Sequence, residues 1–306
     1  MRVDRRWLAR AGAIIFALAL LYPFTALFAR IGSWQWGEDV RGPALSSVRV
    51  SLLLTACAMV IVVAIGTPVA AYIARCGTRE RLLWQAVLLV PILLPPLALG
   101  ILLTLAFGSY GTVGVWLEHF GIVMTNSAPA FIATQVYVGI GYYVLGAVAA
   151  FDTVPLMLQK QAALLGLAPR TVFLRVTLPL ARLGLAVALS IAWVRAIGEF
   201  GAVVVTAYYP SGMPVQLWVN LQSFGLPAVM PLLVVFLAVA LPLPWLVHVL
   251  AQRRRHVYSA NHKETPGHQG QCLIGTGQRK VLGIVRSFRR GKKHGPRLHC
   301  WNRGTR

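Results

Sequence analysis

The chain has 306 residues, 57% of them hydrophobic and only 12% charged, with a mean hydropathy of +0.68. Soluble domains carry about 25% charged residues, so this composition excludes a water-soluble globular fold and points to bilayer hydrocarbon as the solvent of most side chains. The net charge of +21 is no argument for nucleic acid, because residues 1–250 hold 15 Lys and Arg against 7 Asp and Glu, whereas residues 251–306 hold 14 against one, Glu264.

The first predicted element is an apolar run from Ala11 to Ala29 behind Arg2, Arg5, Arg6 and Arg10. It is longer than a signal-peptide core and lacks a small-residue cleavage site, so it reads as a retained span. Six stretches near 9–30, 48–74, 83–108, 128–150, 181–208 and 228–250 each supply the roughly 20 apolar residues of a transmembrane helix. The cysteines Cys57, Cys76, Cys272 and Cys300 form no pair at metal-ligand spacing, and neither a metal site nor a disulfide is expected.

Basic residues orient these spans. They crowd the N-terminus, the second-to-third connection (Arg75, Arg79, Arg81), the fourth-to-fifth connection (Lys160, Arg170, Arg175) and the far end (Arg253, Arg254, Arg255). Of the alternate loops, 31–47 sets Arg41 against Glu38 and Asp39, 109–127 has only Glu118, and 209–227 has no charge. Both termini are therefore expected in the cytoplasm.

The third span opens with Pro91, Pro95 and Pro96, followed by Gly100. Three prolines remove backbone donors, which a membrane tolerates where neighbouring helices or a wet cavity satisfy the freed carbonyls. Two readings fit: a kink near an interface, or a segment lining the translocation path or its gate.

Residues 152–179 are too long for a turn and too polar in part for a span. Met157 to Leu167 reads as a short helix, Ala168-Pro169-Arg170-Thr171 punctuates the chain, and a second short segment ends at Pro179. Such a helix either lies on the lipid surface or offers a grip to a separate motor. In the fifth span, Arg195 and Glu199 are four apart, so they can share a helix face and offset each other's desolvation. Gly198 and Gly201 flank Glu199 and would admit a neighbouring backbone. The pair is either a structural tie within the bundle or part of a gate on the aqueous path.

The segment Lys160-Gln161-Ala162-Ala163-Leu164-Leu165-Gly166, then nine residues, then Val176-Thr177-Leu178-Pro179, resembles the signature loop of ABC importer permeases. That loop has the form Glu-Ala-Ala, three residues, Gly, nine residues, Ile-x-Leu-Pro. Ala162, Gly166, Leu178 and Pro179 match; Val176 is a mild replacement, Lys160 stands where the family has glutamate, and Gln161 replaces the first alanine. Leu94-Pro95-Pro96-Leu97-Ala98-Leu99-Gly100, with Gly108-Ser109-Tyr110-Gly111, and Arg195-Ala196-Ile197-Gly198-Glu199-Phe200-Gly201-Ala202 are similar to the molybdate and sulfate branch.

The resemblance covers roughly residues 48–250 and implies an all-α membrane protein: a six-transmembrane-helix ABC importer permease fold with a cytoplasmic coupling helix, in a bacterial inner membrane. It implies a division into 1–47 (first span and external loop), 48–250 (permease domain) and 251–306 (basic tail). It further implies ABC ATPase subunits as partners, a second permease subunit as homodimer or heterodimer, and a substrate-binding protein docking on loops such as 31–47, 109–127 and 209–227. The chain has no glycine-rich lysine motif for phosphate, so it is expected to be no enzyme and to bind no cofactor directly, with ATP and Mg on the partner ATPase. The implied cargo is an oxyanion such as molybdate or sulfate; related permeases carry ferric iron, polyamines, thiamine or phosphonates. A secondary transporter driven by an ion gradient is the alternative from another class; it would require a membrane-embedded coupling residue such as Glu199.

Residues 256–306 hold 5 of the 7 histidines and have no long apolar period. A nucleic-acid extension, a surface drawn to anionic lipid and a tail without specific role, including one produced by an altered reading frame, are the readings, and the last is preferred. No specific nucleic acid is expected, and His268, Cys272, His294, His299 and Cys300 are too irregularly spaced for zinc.

Overall fold

The computed structural model describes residues 5–29, 32, 34, 37–247 and 249. The basic tail at 251–306 lies outside them, as do Arg2 and much of the first external loop. The described residues are mostly helical, without a strand among them. They group into two compact units, one from the chain up to Thr153 together with Ala181 onward, the other from Val154–Leu180.

In chain order the helices are α1 (Arg5–Ala29), α2 (Glu38–Ile73), α3 (Thr78–Leu93), α4 (Pro96–Phe107), α5 (Thr112–Glu118), α6 (Ala128–Asp152), α7 (Leu156–Leu164), α8 (Pro169–Val172), a π-turn (Phe173–Thr177), α9 (Leu178–Ile197), α10 (Gly201–Thr206), α11 (Met213–Phe224) and α12 (Leu226–Ala240). Four segments are long and apolar enough to cross a bilayer: Glu38–Ile73, Ala128–Asp152, Pro169–Ile197 and Leu226–Val247. The α3–α4 pair, bent by 105°, supplies a fifth if it counts as one span. The first expected span is helical, but its apolar stretch is the shorter Arg10–Thr25.

Three expectations need correction. Residues 38–47, read as external loop, are the first turns of α2, which starts at Glu38. Glu38 and Asp39 in its first turn suit the positive end of the helix dipole. The third span does not break at Pro91, which lies inside α3. The stop comes at Leu94, held extended (φ −68°, ψ 138°) because Pro95 follows it. Pro96 then opens α4 at the position where a missing N–H costs nothing. Finally, the fifth span does not run unbroken from 181 to 208. Its helix extends back to Pro169 through the π-turn and ends at Ile197. The Leu178 N–H reaches Phe173 O, widening the helix just before Pro179, which has no N–H to give.

Helix α6 is the most enclosed of the long helices, and small residues set its packing. A Cβ on Gly66 of α2 would sit 2.7 Å from Cδ1 of Tyr143, whose hydroxyl shares a 2.7 Å hydrogen bond with Thr67. Gly146 and Gly184 bring α6 and α9 together, since added Cβ atoms would meet Ala188 and Ala150 Cβ at 2.7 and 2.5 Å. In lipid there is no hydrophobic drive between helices, so close backbone approach through small residues supplies the association energy. Arg81 of α3 makes a bidentate ion pair with Asp152 at the end of α6, at 2.5 and 3.2 Å.

Candidate functional site

Two broken spans meet in the larger unit. The break between α3 and α4 and the break between α9 and α10 are joined because α4 packs on α10 through glycines. A Cβ on Gly100 would lie 2.8 Å from Ala202 O and 2.9 Å from its Cα. One on Gly201 would lie 2.8 Å from Pro96 Cβ. Leu99, Leu103 and Ala202 bury around this contact together with Val138 of α6. The backbones themselves are the obstacle, so no side-chain motion relieves the clash. Gly100→Val is expected to cost about 1–3 kcal/mol by overpacking. A lowered Tm of the purified protein would report it; an unchanged Tm would mean that α4 and α10 part freely.

Glu199 sits in the second break, 2% exposed, with both carboxylate oxygens engaged. Oε1 accepts from the Ala202 N–H at 2.8 Å, and Oε2 accepts from Arg195 Nη1. The first bond supplies an acceptor to the opening turn of α10 and draws the side chain away from a continuous helix. This explains why the expected helical face is only half realised: Arg195 is in the last turn of α9, while Glu199 lies beyond its end. Arg195 also lies over the Tyr142 ring, 5.9 Å from its centroid, a favourable cation–π arrangement. Its side chain is 29% exposed, against 1% for that of Glu199.

Of the other path residues, Pro95 and Pro96 form the first break and Gly201 makes the expected close approach. Gly198 does not: its Cβ would meet only Val194 O of the preceding helix turn at 3.1 Å and Phe236 Cζ at 3.8 Å. It serves as the first residue of the break instead. Pro91 is half-buried within α3.

Residues 126, 134 and 206 were not visible from sequence. Thr206 of α10 shares a 2.8 Å hydrogen bond with Thr134 of α6. Asn126 donates its N–H to Thr206 O and accepts from the Tyr208 N–H, both at 3.0 Å. These bonds tie the end of α10 to α6 and to Asn126 just ahead of it, across some 70–80 residues of chain, and no local pattern announces such a pairing.

The smaller unit carries the signature-loop residues. Helix α7 closes with a Schellman motif: Leu167 N–H to Ala162 O at 3.4 Å, and Gly166 N–H to Ala163 O at 2.9 Å, with Gly166 at φ +79°. Ala162 is buried, whereas Lys160, Ala163 and Gly166 are exposed. The expected helix 157–167 therefore ends at Leu164, because its last residues are spent on the cap. Leu156, Met157, Leu164 and Leu165 expose their apolar side chains, Leu164 by 88%. Gln161, Val176 and Leu178 are half-buried, and Pro179 is exposed at the start of α9.

Residues 66–256 match the model of the family described as binding-protein-dependent transport system inner membrane component. The chain belongs to this family. The permease is 33% identical over 237 residues to a probable molybdenum ABC transporter permease protein of Haloferax volcanii, covering 77% of the chain and 87% of that relative. It is also 33% identical over 202 residues to the molybdenum transport system permease protein of Mycobacterium tuberculosis, covering 64% and 75%. A molybdate/tungstate permease of Pyrococcus abyssi is 28% identical over 207 residues, covering 66% and 78%. Among solved structures, a bacterial alginate ABC transporter in complex with an alginate-bound periplasmic protein superposes with a TM-score of 0.65 over 82% of this chain and 96% of that one. Identity there is 17%, so the likeness concerns the fold. The chain is thus an ABC importer permease of the inner-membrane type.

Proposed function

We propose that this permease carries a tetrahedral oxyanion of the molybdate type, handed over by a substrate-binding protein and driven by a separate ATPase. The cargo reading rests on the identity to permeases named for molybdenum over most of the chain. The observation that carries the mechanism is α7, which presents exposed Leu156, Met157, Leu164 and Leu165 beside a glycine-fixed turn. Exposed leucines of this kind at a polar loop suit a protein partner, and we read α7 with residues 160–179 as the coupling helix that docks on the ATPase.

In this reading six spans cross the membrane, with α1 as the first, and both termini are cytoplasmic. The joined breaks at 94–96 and 198–200 line the path or its gate, and the permease works as a pair. It hydrolyses no nucleotide; ATP and Mg act on the partner. The engagement of both Glu199 oxygens argues against the ion-coupled alternative, which needs a membrane carboxylate free to exchange its ion.

The test is co-purification. The permease, extracted under conditions that preserve membrane complexes, is expected to bring down an ABC ATPase in stoichiometric amount. Transport by the chain alone in proteoliposomes, driven by an ion gradient, would refute the reading.

A further inference from the structure

The segment from Ser109 to Val123 faces outward with apolar side chains, although its sequence position marks it as a loop. Tyr110 is 89% exposed, Trp116 61% and Phe120 65%, and Val113, Val115, Ile122 and Val123 are exposed as well. Its polar side chains are exposed too, but they bond within the segment. Ser109 Oγ donates to Glu118, the segment's only carboxylate, and His119 Nδ1 lies 2.7 Å from Val115 O.

Glycines on the opposite side press this segment against the end of α4. A Cβ on Gly114 would sit 1.9 Å from Gly108 O, and one on Gly111 would sit 2.4 Å from Ala106 O. Within α5, at 3.6 residues per turn, Gly114 falls on one side and Trp116 on the other. The bare side is therefore fixed to protein while the aromatic side is presented. Trp116 and Phe120 pack edge to face, with centroids 4.8 Å apart.

What covers this face follows from its continuity with α4. That helix buries Leu99, Gly100 and Leu103 but exposes Leu97, Ile101, Leu102 and Leu105. Four aliphatic side chains suit hydrocarbon and not a wet path for an anion. At the C-terminal end of α4 the exposed surface changes from aliphatic to Tyr, Trp and Phe, the residue types that concentrate at membrane–water boundaries. We propose that residues 109–123 are a membrane-interface anchor whose aromatic face lies in the lipid headgroup region and not against the substrate-binding protein. This inference rests on the membrane reading alone and holds for any cargo.

Site-directed spin labelling of the full chain in lipid nanodiscs tests it. With Cys57, Cys76, Cys272 and Cys300 replaced by serine, nitroxides are placed singly through V113C, W116C and F120C, with R79C in the exposed first turn of α3 as the water reference. The ratio of oxygen collisions to collisions with a water-soluble nickel chelate should be several-fold higher at the three anchor positions than at 79. Nickel accessibility equal to that at 79 would overturn the proposal by placing the face in water. Exclusion of both reagents would overturn it by placing the face under protein, a second copy included. As a check free of labels, brominated lipids should quench a component of the tryptophan emission that Trp116→Phe removes. Identical fractional quenching in wild type and variant would also count against the anchor.

Discussion

Replacing Gly166 with valine is expected to lower coupled transport about tenfold while the protein still inserts in the membrane. Gly166 sits at φ +79°, the left-handed region that an L-residue enters at a cost of about 1–2 kcal/mol and a β-branched one at more. A Cβ there would meet nothing within 4 Å, so the whole penalty is conformational and not steric. This separates the variants. Asparagine, which tolerates the left-handed region, should keep most activity, alanine should lose part of it, and valine should lose nearly all. One or two kcal/mol shifts a local equilibrium by roughly 5–30-fold, enough to unmake the turn that aims Leu164 and Leu165. Transport and ATP hydrolysis measured together in proteoliposomes with the partner ATPase should fall out of step: hydrolysis persists while valine lowers transport by about tenfold. Equal transport for glycine and valine would remove the docking role of this turn.

This turn was only partly legible in the sequence: Gly166 matched the signature loop, but the helix reading ran through it to Leu167. The break at Pro95 and Pro96 carries its own signature. Both features are local, fixed by donors that are absent or by a φ that only certain residues adopt, but only the prolines announce theirs in a reading of the sequence. The second break was not legible as a break. Apolar composition runs from Ala181 to Ala207, interrupted by Arg182, Arg195 and Glu199, and hydropathy registers a span whether or not its helix is continuous. What divides it is a bond between the Glu199 carboxylate and the Ala202 N–H, a side chain competing with the helix ladder. The meeting of α4 and α10 was equally hidden. Gly100 and Gly201 each read as a small residue, but their pairing across about 100 positions of sequence is a tertiary fact. The two candidate glycines beside Glu199 looked equivalent by spacing, and only packing distinguishes Gly201, pressed on Pro96, from Gly198, which is not.

Neutralising Arg195 is expected to damage the protein more than neutralising Glu199, although the two form one ion pair. The asymmetry follows from burial. The Glu199 side chain is 1% exposed and that of Arg195 29%. In Glu199→Gln the amide oxygen still accepts from Ala202, and Arg195 loses its partner but keeps Tyr142 and a route for its head to reach polar surroundings. In Arg195→Gln the carboxylate is left uncompensated where no solvent reaches it. Removing one partner of a buried pair costs about 3–5 kcal/mol, and Arg195→Gln should approach that range. Glu199→Gln should fall well below it, because the Arg195 head keeps its place over Tyr142 and opens on the water-filled path proposed above. The double variant Arg195→Gln with Glu199→Gln leaves no lone charge and should recover much of the stability that Arg195→Gln loses. Thermal unfolding of the purified protein in detergent reads the cycle. Equal losses for the two single variants, or a double variant no better than Arg195→Gln, would show that the pair is not the element that holds the second break. If the pair also moves in the transport cycle, the double variant separates the two roles: it should recover stability without recovering transport.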